Sequence, residues 1–153
     1  QSKMAELLRE EQARLIPNPV GVSLGGKVRL EGYKFDRAGR QAFGRLYFRA
    51  LTTMDADWTM WLHAMPEDPA VLRRDRGDNH PQNADEPEYA VLDQRLDTSH
   101  WQPGRLYEVD VTAALPPGRY EVRLGLWRWE DGVRLWRDDA PNEHEINLGW
   151  MAW

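Results

Sequence analysis

Alternating hydrophobic and polar residues dominate the chain from residue 20 onward. In KVRLEGYKF (27–35) and RLYEVDVT (105–112), apolar side chains recur at every second position. This period of two is typical of a β-strand with one buried and one solvated face. Similar segments, separated by turns that contain glycine or proline, cover residues 27–35, 43–51, 57–65, 88–94, 105–112, 118–129, 132–137 and 144–153. We therefore predict an all-β protein, an antiparallel β-sandwich of about seven or eight strands.

The first residues follow a different pattern. KMAELLREEQARLI (3–16) is rich in strong helix formers, and Ser2 can act as an N-cap. Pro17 and Pro19 would end a helix because proline lacks a backbone N–H donor. We predict one N-terminal helix and a proline linker over residues 1–19, followed by a β-sandwich domain over residues 20–153.

The net charge and the absence of cysteine limit the kinds of molecule that this protein is expected to bind. The 153 residues carry a formal net charge of -5 and contain no cysteine. Without cysteine the chain has no disulfides and no thiolate metal site, and without a basic stripe we expect no nucleic-acid partner. We also expect no cofactor. The sequence identifies no metal-ligating residues and leaves open whether the polar loop over residues 73–87 binds calcium. The chain begins with Gln1 and has no apolar run long enough to span a bilayer, so we expect that a missing upstream segment carried its targeting and its membrane attachment.

The segment GLWRWEDGVRLW (125–136) holds three tryptophans, Trp127, Trp129 and Trp136. Counting by twos through the strand predicts a core face with Tyr120, Val122, Leu124 and Leu126, and an opposite face with Glu121, Arg123, Gly125, Trp127 and Trp129. The two indoles of that second face either pack under a loop or the N-terminal helix, or form a platform for a flat ligand such as a sugar ring. The candidate ligand-binding residues are Trp127, Trp129, Arg123, Glu121 and Asp131.

A second group of residues lies in DWTMWLHAMPED (57–68). Here Trp58, Met60, Leu62 and Ala64 share one face, and Thr59, Trp61, His63 and Met65 share the other. Because both faces are apolar, the strand is either covered on both sides or lines a cleft. His63 is a structural histidine or part of a polar site with residues of the following polar loop. That candidate second site consists of His63, Asp78, His80 and Trp61.

Several short motifs occur in an order that resembles a known family. They are Trp61 and His63, which fall on the family's aromatic-x-aromatic-x-His strand, a loop aspartate at Asp78, a Trp-x-Pro-Gly turn at Trp101, Pro103 and Gly104, and a Pro-Gly-x-Tyr strand at Pro117, Gly118 and Tyr120. Over residues 20–153 the chain resembles the extracytoplasmic, jelly-roll-like β-sandwich module at the C-terminal end of bacterial polytopic membrane glycosyltransferases and related envelope proteins. The resemblance implies a non-catalytic accessory domain outside the cytoplasmic membrane, with a membrane-protein host chain and a carbohydrate ligand.

Three hypotheses on function follow. The first is a binding domain for a glycan or a glycolipid head group, and the second is an interaction module that docks on a partner domain of a larger membrane protein. The third is a hydrolase that uses His63 and Asp78. Exposure of Trp127 and Trp129 beside charged groups would favour the first hypothesis, and their burial under the helix would favour the second. The apolar tail LGWMAW (148–153) is predicted to complete a strand and to bury Trp150 or Trp153.

Overall fold

The chain folds into two antiparallel β-sheets. The computed structural model describes the backbone of residues 6–8, and describes residues 15–72 and 89–153 in full. Its strands are β1 (Glu6–Leu8), β2 (Pro19–Leu24), β3 (Val28–Ala38), β4 (Gln41–Ala50), β5 (Thr59–Pro66), β6 (Ala90–Val91), β7 (Gln94–Arg95), β8 (Leu106–Ala114), β9 (Arg119–Trp127) and β10 (Ile146–Ala152). The prediction of an all-β antiparallel sandwich is confirmed at this level, with more strands than the seven or eight predicted.

The two sheets have different strand orders. The first sheet runs β1-β8-β4-β3-β2. The second runs β10-β9-β5-β6, with β7 also paired to β5. Side chains from both sheets form one continuous hydrophobic cluster between them. The other face of the second sheet, which points away from this cluster, carries the candidate functional site.

The alternation along β5 and β9 has the predicted direction. Tyr120, Val122, Leu124 and Leu126 of β9 are all fully buried. On β5, Met60, Leu62 and Ala64 are fully buried, and Trp58 just before the strand is almost so. On the opposite faces most residues of both strands are only partly buried, with Thr59 and Gly125 as the buried exceptions. Of the two alternatives for β5, this favours a second face that lines a cleft.

The predicted N-terminal helix is not confirmed. Within its range, residues 6–8 form β1, which extends the first sheet by pairing antiparallel with β8. Strand pairing on an open sheet edge satisfies backbone donors and acceptors, and this tertiary contact outweighs the local preference for helix. The other residues of the predicted helix, apart from 15 and 16, lie outside the described residues.

Two further strand predictions need correction. Residues 132–137 form no strand; they make only isolated bridges, from Arg134 to Trp127 and from Arg137 to Leu24. Conversely, β2 was not predicted, because proline and glycine at its start obscure the alternation. Gly21 has φ of 74° and lies where the register of β2 shifts against β3. Such bulges are characteristic of edge strands and need a residue that tolerates positive φ.

The C-terminal tail behaves as predicted. Its residues form β10, and Trp153 directly after the strand is only 4% exposed, whereas Trp150 is 46% exposed. The indole of Trp153 stacks on the ring of Phe35 in the first sheet, with ring centroids 4.8 Å apart. Its Nε1 donates to the backbone carbonyls of Asp36 and Phe43. The last residue of the chain therefore links the second sheet to the first.

Candidate functional site

A cleft opens on the outer face of the second sheet. Its volume is about 300 Å³. The strands β5 and β9 supply part of its lining, and the segments 89–95 and 128–145 supply the rest. The lining residues are Trp61, His63, Asp93, Trp127, Arg134, His144 and Glu145.

Gly125 makes room for one of the cleft residues, Trp61. In the register of the sheet Gly125 lies beside Trp61, and the indole of Trp61 extends over the glycine. A Cβ atom at position 125 would come within 2.6 Å of Trp61 ring atoms and of the His144 carbonyl oxygen. The absence of a side chain at this buried position therefore lets the Trp61 indole and the backbone of residue 144 approach β9 closely.

Aromatic rings form two walls of the cleft. On the β5 side, the ring of His63 lies between those of Trp61 and Tyr89, with centroid distances of 5.0 and 4.8 Å. On the β9 side, Trp127 lines the cleft and contacts Trp129 at 5.3 Å. Trp129 is 65% exposed. The aromatic surface on the β9 side therefore extends from Trp127 to the solvent-exposed indole of Trp129.

The segment before β10 supplies an arginine–histidine pair. The bridge between Trp127 and Arg134 brings Arg134 alongside the end of β9. The Nη1 of Arg134 lies 2.8 Å from Nε2 of His144. Because a guanidinium can only donate, Nε2 is the acceptor, and the neutral imidazole carries its proton on Nδ1. The edge of the same imidazole packs against Trp136, at a centroid distance of 5.3 Å.

Burial shifts the pKa of two titratable groups of the cleft, His63 and Asp93. It lowers the pKa of the His63 imidazole below its usual value, and the nearby charges of Asp93 and Glu145 oppose this only in part. Burial raises the pKa of the Asp93 carboxyl, which the neighbouring His63 opposes. At neutral pH His63 is therefore an uncharged imidazole, able to donate one hydrogen bond and to accept another.

The structure brings together residues that the sequence had placed in two separate sites. Trp61 and His63 of the candidate second site lie in the same cleft as Trp127, with Trp129 at its rim. Asp78 and His80 lie outside the described residues, and the hydrolase hypothesis depends on Asp78.

The charged residues of the first candidate set lie around the cleft rather than in it. The guanidinium of Arg123 bonds to Glu121 at 2.8 Å and to Glu145 at 3.1 Å, and so holds a lining carboxylate in place. Asp131 pairs with Arg128 and accepts the N–H of Val133. These contacts fix the turn that follows β9, and Asp131 does not line the cleft.

Sequence reasoning missed four lining residues: Asp93, Arg134, His144 and Glu145. All four lie outside the regular strands, where alternation gives no information about the direction of a side chain. The one available indication was the density of tryptophan and arginine over residues 127–136, which exceeds what an ordinary connecting turn needs.

Further observations concern metals, membranes and related proteins. In the part of the chain that the structure describes, no three His, Asp or Glu side chains are grouped as metal ligands. Among the same residues, no helix has the length and apolar character needed to cross a membrane. Comparison of the chain with protein-family models, curated proteins and solved structures gives no match. The fold and site thus define a β-sandwich with an aromatic, partly charged cleft, and the resemblance to glycosyltransferase modules stays a prediction.

The lowered pKa of His63 predicts a pH-dependent stability. Below the ordinary histidine pKa of about 6.5 the unfolded chain binds a proton that the folded chain resists. The stability that depends on His63 is therefore complete above pH 7, and it decreases as the pH falls from 6.5 towards the folded-state pKa of this residue. We expect His63→Gln to reduce this loss between pH 7 and 5.5, as measured by urea denaturation. Identical pH profiles for the two proteins would contradict the prediction, and His100→Gln controls for removal of an exposed histidine.

Proposed function

We propose that this domain binds a saccharide in the cleft on the second sheet. In this proposal it is a non-catalytic accessory domain of a bacterial envelope protein, held outside the cytoplasmic membrane by its host chain. The observation that carries the proposal is the position of Trp127 and Trp129, which lie in and beside a concave, charged patch instead of in the core.

The chemistry of the cleft suits a sugar. Indole faces bind the apolar C–H face of a pyranose ring, and both Trp61 and Trp127 line the cleft, on adjacent strands of the sheet. Hydroxyl groups need both donors and acceptors within reach. The neutral imidazole of His63 supplies both, and the carboxylates of Asp93 and Glu145 supply acceptors. A cavity of about 300 Å³ is at the small end of ligand sites, which fits one or two sugar rings.

Removing the indole of Trp127 is expected to weaken saccharide binding at least ten-fold without unfolding the domain. Trp127 is only partly buried, so its loss takes away ligand contact more than core packing. The measurement is a titration of the wild type and of Trp127→Ala with a panel of cell-envelope oligosaccharides, followed by intrinsic fluorescence and calorimetry. Thermal melts verify that the variant is folded.

Trp150→Ala provides the matched control. Trp150 is also a partly exposed indole of the second sheet, but it contacts Arg119 and does not line the cleft. The proposal expects unchanged affinity for this variant. If no saccharide of the panel binds the wild type at millimolar concentration, the proposed function is wrong, and an interaction module becomes the better hypothesis for these exposed indoles.

A further inference from the structure

Arg134, the arginine that lines the cleft, differs in its charge partners from most arginines in the described part of the chain. Eight arginines there have a carboxylate oxygen within salt-bridge distance: Arg29, Arg45, Arg49, Arg95, Arg119, Arg123, Arg128 and Arg137. Among the same described residues, Arg134 has no carboxylate partner, and its one side-chain contact is the neutral Nε2 of His144. Its positive charge is therefore not compensated by a neighbouring side chain.

The contact with His144 orients this guanidinium but occupies only one of its five N–H donors. One N–H of Nη1 is committed to the imidazole at 2.8 Å. The other four donors of the planar group remain, including pairs whose geometry matches the two oxygens of a carboxylate or of a phosphate or sulfate group. An exposed arginine that is held in place by one contact and open on its remaining edge is suited to bidentate binding of an anion.

The carboxylates of the cleft do not cancel this charge locally. Glu145 is bonded to Arg123 at 3.1 Å. Asp93 enters from the segment between β6 and β7, on the β5 side of the sheet, whereas Arg134 pairs with the end of β9. The cleft thus has an acidic end near His63 and a basic end near Trp127.

We propose that the cleft selects a saccharide bearing an acid group, with the ring stacked on Trp127 and the acid group bound by Arg134. This inference rests on the proposed function and adds to it the chemical class of the ligand. The backbone bridge between residues 127 and 134 fixes the stacking surface and the cation side by side, so a single sugar unit reaches both. A neutral sugar of the same shape makes the stacking and hydroxyl contacts but has no acid group for Arg134 to bind.

The test is calorimetry with matched neutral and acidic ligands. The pairs are methyl glucoside with methyl glucuronide, and methyl galactoside with methyl galacturonide. Glucose 6-phosphate and glucose 6-sulfate distinguish a carboxylate from other acid groups, and acetate and inorganic phosphate report binding of the anion alone. We expect an acidic sugar to bind about ten-fold more tightly than its neutral partner, as one bidentate charge-assisted contact allows.

Variants of Arg134 separate this inference from the proposed function. We expect Arg134→Gln to abolish the preference for the acidic sugar, so that the two members of a pair bind this variant with equal affinity. Arg134→Lys keeps the charge but not the planar fork, so part of the preference should remain. Arg105→Gln, the same change at an exposed position directly before β8, should behave as wild type.

Each outcome bears on a different statement. Equal affinity of the wild type for both members of every pair overturns the inference about acidic ligands and leaves saccharide binding intact. An acid preference that survives in Arg134→Gln overturns the role of Arg134. Binding of acetate or phosphate as tight as that of the acidic sugars would show an anion site that does not need the sugar ring. The absence of any sugar binding overturns the proposed function itself.

Discussion

Replacing Trp153 by alanine is expected to lower the free energy of unfolding by about 3–5 kcal/mol, the usual cost of truncating a buried tryptophan. Trp153 is 4% exposed, and its indole stacks on Phe35 with an interplanar angle of 14°. Truncation would leave a cavity between the two sheets, where the surrounding strands can collapse only in part.

Hydrogen bonds add to this loss. The Nε1 of Trp153 donates to the carbonyl oxygens of Asp36 and Phe43 at 3.0 and 3.2 Å. The backbone of the same residue exchanges two hydrogen bonds with Gly118. Alanine keeps the backbone pair but leaves two partly covered carbonyls without their shared donor. For a domain of this size we expect the melting temperature to fall by about 10 °C.

The measurement is urea denaturation and a thermal melt of Trp153→Ala beside Trp150→Ala. Trp150 is 46% exposed and contributes little more than a cation–π contact with Arg119 at 5.5 Å. We expect its loss to cost about 1 kcal/mol or less, as is usual for an exposed pair. Equal stabilities of the two variants would mean that the C-terminal residue does not link the sheets.

The fold could be predicted further than the site because burial of a strand leaves a trace in its sequence. The alternation in 118–129 correctly separated Leu124 and Leu126 from Trp127, since the period of two is set by backbone geometry. The helix predicted for the N-terminal segment was not confirmed, and the reason is the opposite one. Helix propensity is a local quantity, whereas β1 exists through its pairing with the edge of β8, a contact about 100 residues away in sequence.

The cleft could be predicted only where strands build it. Trp61, His63 and Trp127 were found because they lie on β5 and β9, at positions that alternation assigns to the outer face. Arg134 and His144 come from an irregular segment, and their contact depends on how that segment folds back over the sheet. An irregular segment has no periodic pattern of apolar residues that would indicate how it folds. The contact between Arg134 and His144 could therefore not be predicted from the sequence and is seen only in the structure.

Part of the motif order that supports the resemblance is explained by the fold alone. Trp101 is buried, donates from Nε1 to Asp97 and stacks on Tyr107 at 4.5 Å. Tyr120 is fully buried and its hydroxyl donates to the carbonyl of Pro116. These residues hold a loop and a strand entry in place. Evidence about a ligand must therefore come from the outer face of β5 and β9, where Trp61 and Trp127 have no such structural partners in the core.

Replacing Gly125 by alanine is expected to damage both the stability and the cleft. The added Cβ would lie 2.6 Å from the Trp61 indole and 2.6 Å from the backbone oxygen of His144. A flexible side chain could move aside, but a backbone carbonyl and a large ring on the neighbouring strand cannot do so without shifting the cleft walls. Overpacking of this kind costs about 1–3 kcal/mol. That exceeds the 0.5–1 kcal/mol that alanine gains over glycine within a regular element.

Gly118→Ala makes the same chemical change where space exists. Its Cβ would meet only the Cε1 of Tyr120 at 3.6 Å, an ordinary van der Waals contact. We expect this control to stay within about 0.5 kcal/mol of wild type, and to bind the saccharide unchanged. Gly125→Ala should lose at least ten-fold in affinity, because both Trp61 and the segment that carries His144 and Arg134 are displaced together. Wild-type affinity and stability in Gly125→Ala would mean that the ring of Trp61 does not need the glycine beneath it, and that the cleft tolerates a different arrangement of its aromatic walls.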